Sequence, residues 1–180
     1  HHGGLEVQRE QHAARLGVFD FGGDESLKAL ALQGDGKIIA AGAMNNTTFA
    51  LARYNPDGSL DSTFDGDGKV LAGEGSINAV VVQNDSKIVA AGGYNMDIAL
   101  ARYNPDGSLD TSFDADGIVV MDIAGAFDEA NAITLQADGK ILVTGYAYMS
   151  NLDIAVVRYN PDGSLDSAFA GDGIQTTDLA

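Results

Sequence analysis

The sequence contains no cysteine and no tryptophan. Without thiols there is no disulfide, no zinc–thiolate centre and no cysteine nucleophile. Histidine is confined to His1, His2 and His12, so the rest of the chain offers no imidazole as a base or metal ligand. Positive charge is scarce too, with 10 Lys and Arg against 26 Asp and Glu, a formal net charge of −16. Arg9 and Arg15 cancel Glu6 and Glu10, so all of that excess lies from Gly17 onward. A field of this sign repels phosphate backbones and anionic lipid, which argues against nucleic acid and membrane surfaces as partners. No apolar run approaches the roughly 18 residues needed to cross a bilayer, and the start has no apolar signal core. The chain reads as a soluble, processed or excised segment. Residues 1–16, opening HHGGLEVQRE, read as a tag and linker outside the fold.

What the sequence has in abundance is repetition. Arg-Tyr-Asn-Pro-Asp-Gly-Ser-Leu-Asp occurs from Arg53 to Asp61, from Arg102 to Asp110 and from Arg158 to Asp166. Tyr54 to Tyr103 is 49 residues and Tyr103 to Tyr159 is 56, a unit of about 50 residues with insertions of four and three in the last copy. Short runs of Val, Ile, Leu and Ala, bounded by Gly, Asp and Asn, read as strands and tight turns. The first run is at 17–21, 68–71 and 117–123, with a further copy at 173–179. The second is at 27–33, 77–83 and 130–136, the third at 37–42, 87–92 and 140–145, and the fourth at 49–54, 98–103 and 154–159.

Gly34-Asp35-Gly36, Asn84-Asp85-Ser86 and Ala137-Asp138-Gly139 accept the backbone of a tight hairpin, making the second and third runs antiparallel neighbours. The middle runs are apolar at consecutive positions, so both faces of each sheet are covered. Four antiparallel strands per unit, stacked face on face, predict an all-β propeller with three blades at about 17–67, 68–116 and 117–172. Residues 173–180 are then the first strand of a further unit. A β-sandwich is the alternative, but it leaves the identical loop in every unit unexplained.

The pattern LQ-x-DGKI, then AG, then ALARYNPDGSLD-x-x-FD-x-DG resembles the bacterial delta-60 repeat family, propeller-like repeats of a domain of unknown function. The likeness runs from Gly17 to about Ala180. Asn84 and Ser86 depart from it in the second turn, as does Ala170 where Asp65 and Asp114 stand. The resemblance implies a module of a large secreted or cell-surface bacterial protein. It supplies no catalytic residues.

In each unit Pro and Asp-Gly favour a type I turn, Arg53, Arg102 and Arg158 are placed to bridge to Asp61, Asp110 and Asp166, and Phe64, Phe113 and Phe169 are expected to plug the blade interface. Asp57, Asp61, Asp65 and Asp67, with Asp106, Asp110, Asp114 and Asp116 (and Asp162, Asp166 and Asp172 in the third unit), are oxygen ligands of the kind calcium takes, though their spacing fits no helix–loop–helix site. A calcium-dependent binding module is therefore the alternative reading, against turn-forming aspartates and no cofactor. A glycoside hydrolase fragment would need two carboxylates in one cleft, whereas these acids recur identically. Asp128 and Glu129, in the third unit's insertion, are the acids that break the repetition.

The irregular loops at 44–48, 94–97 and 146–153 carry Tyr94, Tyr146, Tyr148 and Met149, side chains suited to protein or glycan contact. The expected function is a non-catalytic module with structural or interaction roles. Three blades fall short of the usual four to eight, which predicts a homodimer of six blades latched by the C-terminal strand.

Overall fold

The computed structural model describes residues 21–123 and 125–178. The tag-like segment 1–16, most of the first run at 17–21 and the last two residues lie outside the described residues. Twelve strands form three four-stranded antiparallel sheets. Sheet 1 holds β1 (Glu25–Leu32), β2 (Ile38–Met44), β3 (Thr48–Tyr54) and β4 (Lys69–Glu74). Sheet 2 holds β5 (Ser76–Val82), β6 (Ile88–Tyr94), β7 (Asp97–Tyr103) and β8 (Ile118–Met121). Sheet 3 holds β9 (Asp128–Leu135), β10 (Ile141–Tyr148), β11 (Leu152–Tyr159) and β12 (Ile174–Thr177).

Within each sheet the strands are neighbours in chain order, so the all-β, three-sheet expectation holds, but its phase is displaced by one strand. The run at 68–71 pairs with β3 of the preceding unit, and Ile174–Thr177 pairs with β11. It completes sheet 3 instead of opening a further unit, so it is not a spare strand for latching another chain. The cause is the Asn-Pro-Asp-Gly turn. Gly58 N–H donates to Asn55 O and Asn55 N–H to Ser59 O, and Tyr54 bridges back to Leu60. The chain is thereby folded back, and the next run lies alongside the strand it has just left.

Sheet 2 sits between the others, which explains its run of consecutive apolar residues. Ile88, Ala90, Ala99, Ala101 and Tyr103 join Ile39, Phe49, Leu51 and Phe64 of sheet 1 in one core cluster. The alternate residues Val89, Ala91, Ile98, Leu100 and Phe113 join Val143, Val157 and Tyr159 of sheet 3 in a second. The first strand of every sheet bulges, after Leu27, after Ile77 and between Ala130 and Ala132. Opposite each bulge is Gly42, Gly92 or Gly145, where a Cβ would lie 1.8–1.9 Å from the carbonyl oxygen of Ser26, Ser76 or Glu129. Only glycine allows that approach.

Candidate functional site

The two ends of the strands differ in kind. One end carries the repeated turns, where the aspartates are absorbed by the fold. Asp57 Oδ1 accepts from Ser59 N at 3.0 Å and Ser59 Oγ at 2.6 Å, and Asp106 and Asp162 repeat this with Ser108 and Ser164. Asp61 Oδ2 takes Arg53 Nε at 2.7 Å and Lys37 Nζ at 2.9 Å, while its Oδ1 takes Thr63. Asp110 is held the same way by Arg102 and Lys87. Burial alone would raise the carboxyls of Asp61 and Asp110. Hydrogen bonds from Lys37 and Thr63, or Lys87 and Ser112, with the nearby arginine charge, outweigh it and hold both well below the usual range. Asp67 and Asp116 accept from the backbone two residues on. Asp65 and Asp114 are exposed and adopt positive φ of 49° and 48°. None of these acids belongs, among the described residues, to a group of three or more close enough to share a cation.

The same end clasps one sheet to the next. Arg53 Nη1 donates to Pro105 O and Asp65 N–H to Asp106 O, while Arg102 Nη1 donates to Pro161 O and Asp114 N–H to Asp162 O. Arg53 and Arg102 also lie over the rings of Phe64 and Phe113 at 4.6 and 4.5 Å. Gly107 and Gly163 of the following turn approach those rings so closely that a Cβ would stand 3.1 and 3.0 Å away. Phe64 and Phe113 are fully buried, as plugs should be; Phe169 is only partly so. Arg158 pairs with Asp166 at 2.7 Å and covers Phe169. Among the described residues, its Nη1 and the Ala170 N–H have no acceptor corresponding to those of the two inner joints.

At the opposite end the units differ. A cavity of about 530 Å³ opens between the β2–β3 turn, the β4–β5 link, the β6–β7 turn and the start of β9, with Thr47, Glu74, Tyr94, Met96, Phe127 and Glu129 on its walls. Of the sequence-predicted loop residues, Tyr94 lines this cavity. Tyr146 stacks on Phe127 with centroids 5.6 Å apart and donates to Glu129 Oε2 at 2.5 Å. Burial, that hydrogen bond and the carboxylate charge push its hydroxyl up to about 12. Tyr148 and Met149 are 45% and 55% exposed. Asp128 and Glu129, placed in a loop insertion by sequence, instead open β9.

The sequence pattern missed what Asp128 meets. One carboxylate oxygen each of Asp97, Asp122 and Asp128 lies within 4.8 Å of the others. The signal available was a partial repetition: Asp97 and Asp122 stand where the first unit has Thr48 and Gly73 and the third has Asp153 and Asp178.

The family model described as "Domain of unknown function (DUF5122) beta-propeller" matches residues 33–64, 83–113 and 136–169. The chain belongs to this family. Each matched segment begins just before the first hairpin turn of a sheet and ends at Phe64, Phe113 or Phe169, so it spans the two middle strands of one DUF5122 sheet and the repeated turn that follows them. Among solved structures, the fold is similar to XC5397 from Xanthomonas campestris, described as a gluconolactonase, with TM-score 0.50, 15% identity and coverage of 86% of this chain and 48% of that one. It is also similar to a protein from Lactobacillus plantarum, with TM-score 0.50, 11% identity and coverage of 84% and 55%. The chain thus spans about half the length of these structures. No curated protein matches it in sequence.

Proposed function

We propose that this chain is a non-catalytic β-propeller module that completes a ring by docking its third sheet on the first sheet of a second copy. The observation that carries this reading is the clasp, made at both inner joints and present as one half at each outer sheet. Sheet 3 offers the donors Arg158 and Ala170 N–H and the ring of Phe169. Sheet 1 offers the matching Pro56-Asp57-Gly58 turn, with open space around Gly58 where Gly107 and Gly163 are in contact. The apolar positions follow the same logic. Leu30 and Leu32, each 71% exposed, occupy the places of Val80 and Val82, which pack on sheet 1. Leu142, Ile154 and Val156 occupy the places of Val89, Ile98 and Leu100, which pack on sheet 3.

Two copies of a three-sheet chain give six blades, inside the usual range of about four to eight, and close both ends at once. Thr144 and Gln175 replace Ala91 and Val119 on the outer face of sheet 3. That loss of apolar area makes this joint weaker than the inner ones. The absence of catalysis rests on the acids at the turn end being used by the fold. The gluconolactonase likeness is one of fold, and no activity is carried over from it. Tyr94, Tyr146, Tyr148 and Met149, at the other end, form the surface for a protein or glycan partner, in the secreted or cell-surface setting that the family resemblance implies.

Light scattering across a dilution series tests the ring. The expected mass is twice the 18.6 kDa chain at high concentration, falling toward one chain on dilution. Gly58→Asn, a residue that tolerates positive φ, should abolish the larger species while leaving the melting temperature of the single chain nearly unchanged. A single-chain mass at every concentration would refute the docking.

A further inference from the structure

We propose that Asp97, Asp122 and Asp128 form a calcium site that staples sheet 2 to sheet 3. Asp97 begins β7 and Asp122 follows β8, both of sheet 2, whereas Asp128 begins β9 of sheet 3. Their nearest carboxylate oxygens lie within 4.8 Å of one another. Two oxygens about 2.4 Å from a shared calcium ion are at most about 4.8 Å apart, so this spacing admits one such ion. Oxygen-only donors suit a hard cation, and the chain has no cysteine thiolate to favour a softer one.

The second observation is the state of Asp128. It is 0% exposed, yet only Oδ2 is satisfied, by Ile123 N–H at 2.6 Å. Its Oδ1 is buried without a hydrogen-bond partner. A buried carboxylate oxygen left unmatched needs a proton or a cation, and among the described residues no Lys, Arg or His forms an ion pair with any of the three acids. Asp122 engages only Oδ1, with Gly125 N–H, and Asp97 accepts no hydrogen bond among the described residues. Burial, then the charges of Asp122 and Asp128, raise the Asp97 carboxyl, the response of an anion lacking a counterion.

The molecule contains its own control. At the joint between sheets 1 and 2 the corresponding positions are Thr48, Gly73 and Gly75. The fold makes that joint without acids, so the three aspartates at the second joint are not a requirement of the architecture.

The test is calcium chloride added to the chelator-treated full chain, followed by calorimetry and thermal unfolding, with magnesium chloride in parallel. Expected are one equivalent of calcium per chain and a melting temperature raised by about 5 to 10 °C at a hundredfold excess over Kd. The Asp97→Asn/Asp122→Asn variant should lose this response. Without calcium it should melt higher than the parent, because the repulsion is gone. That gain is not expected of residues with a merely structural role. Asp65→Asn/Asp114→Asn should respond as the parent does. No calcium response in the parent, a response that survives Asp97→Asn/Asp122→Asn, or one lost in the turn variant would each overturn the proposal.

Discussion

The turn end and the loop end of the sheets use their acids in opposite ways. At the turn end every unit repeats the same Arg–Asp pair, and Asp61 and Asp110 each receive two cations. At the loop end Asp97, Asp122 and Asp128 crowd together with no cation from the described chain. The nine-residue string carries both its acids and the groups that match them. Asp97 and Asp122 recur in the third unit as Asp153 and Asp178, but only at the joint between sheets 2 and 3 does a third acid, Asp128, close the cluster.

The largest expected effect lies at the matched end. Arg102→Ala removes a buried partner of Asp110, its cap on Phe113 and the bond to Pro161 O together. Urea unfolding should show a loss of about 4 kcal/mol. Gly92→Ala, which forces a Cβ toward Ser76 O, should follow at about 3 kcal/mol by the same measurement. Arg158→Ala should cost only about 1 kcal/mol, because its side chain is 20% exposed and the inter-sheet bond is missing. Equal losses for Arg102→Ala and Arg158→Ala would mean that the clasp between sheets contributes nothing, and the comparison of inner and outer joints would fail.

The two ends also give opposite pH dependence. Asp61 and Asp110 have folded-state carboxyls below their unfolded value, near 3.9. The stability they contribute is present above about pH 4 and is lost as pH falls through their folded values. Asp97 is shifted up. Its folded form prefers the proton, so acidification from neutrality through its raised value toward about pH 4 should stabilise the chelator-treated chain. Melting temperature against pH should therefore rise and then fall on acidification. Asp97→Asn should remove the rise and leave the fall, and a monotonic profile in the parent would break the contrast.

The turn end was legible because one nine-residue string contains the whole device. Pro56 and Gly58 set the turn, Arg53 and Asp61 face each other across the bridge between Tyr54 and Leu60, and Phe64 lies close behind. Phase was not legible, since the run at 69–74 has similar apolar character whichever sheet it joins; the back-folding turn decides it. The acidic cluster was hidden for another reason. Asp97, Asp122 and Asp128 are spread over two sheets, and their meeting depends on sheet packing, with Asp128 N–H anchored to Met96 O at 2.6 Å. Tyr146 was found as an exposed contact residue, but its hydroxyl is tied to Glu129 and its ring to Phe127.

The smallest expected effect separates binding from folding at the loop end. Tyr148 ends β10 and Met149 follows it in the short turn to β11; both are exposed, with Tyr148 N–H held by Phe127 O. That hydrogen bond belongs to the backbone, so Tyr148→Ala keeps it and should alter unfolding by less than about 0.5 kcal/mol. A protein or glycan held at this end would lose a large amphipathic contact, and its Kd should rise about tenfold or more, measured by calorimetry or on a glycan array. A stability loss well above the stated limit would place Tyr148 among the residues the fold consumes. An unchanged Kd for a partner that does bind would move the contact to the cavity beneath, where Tyr94, Met96 and Phe127 present the remaining aromatic and thioether surface.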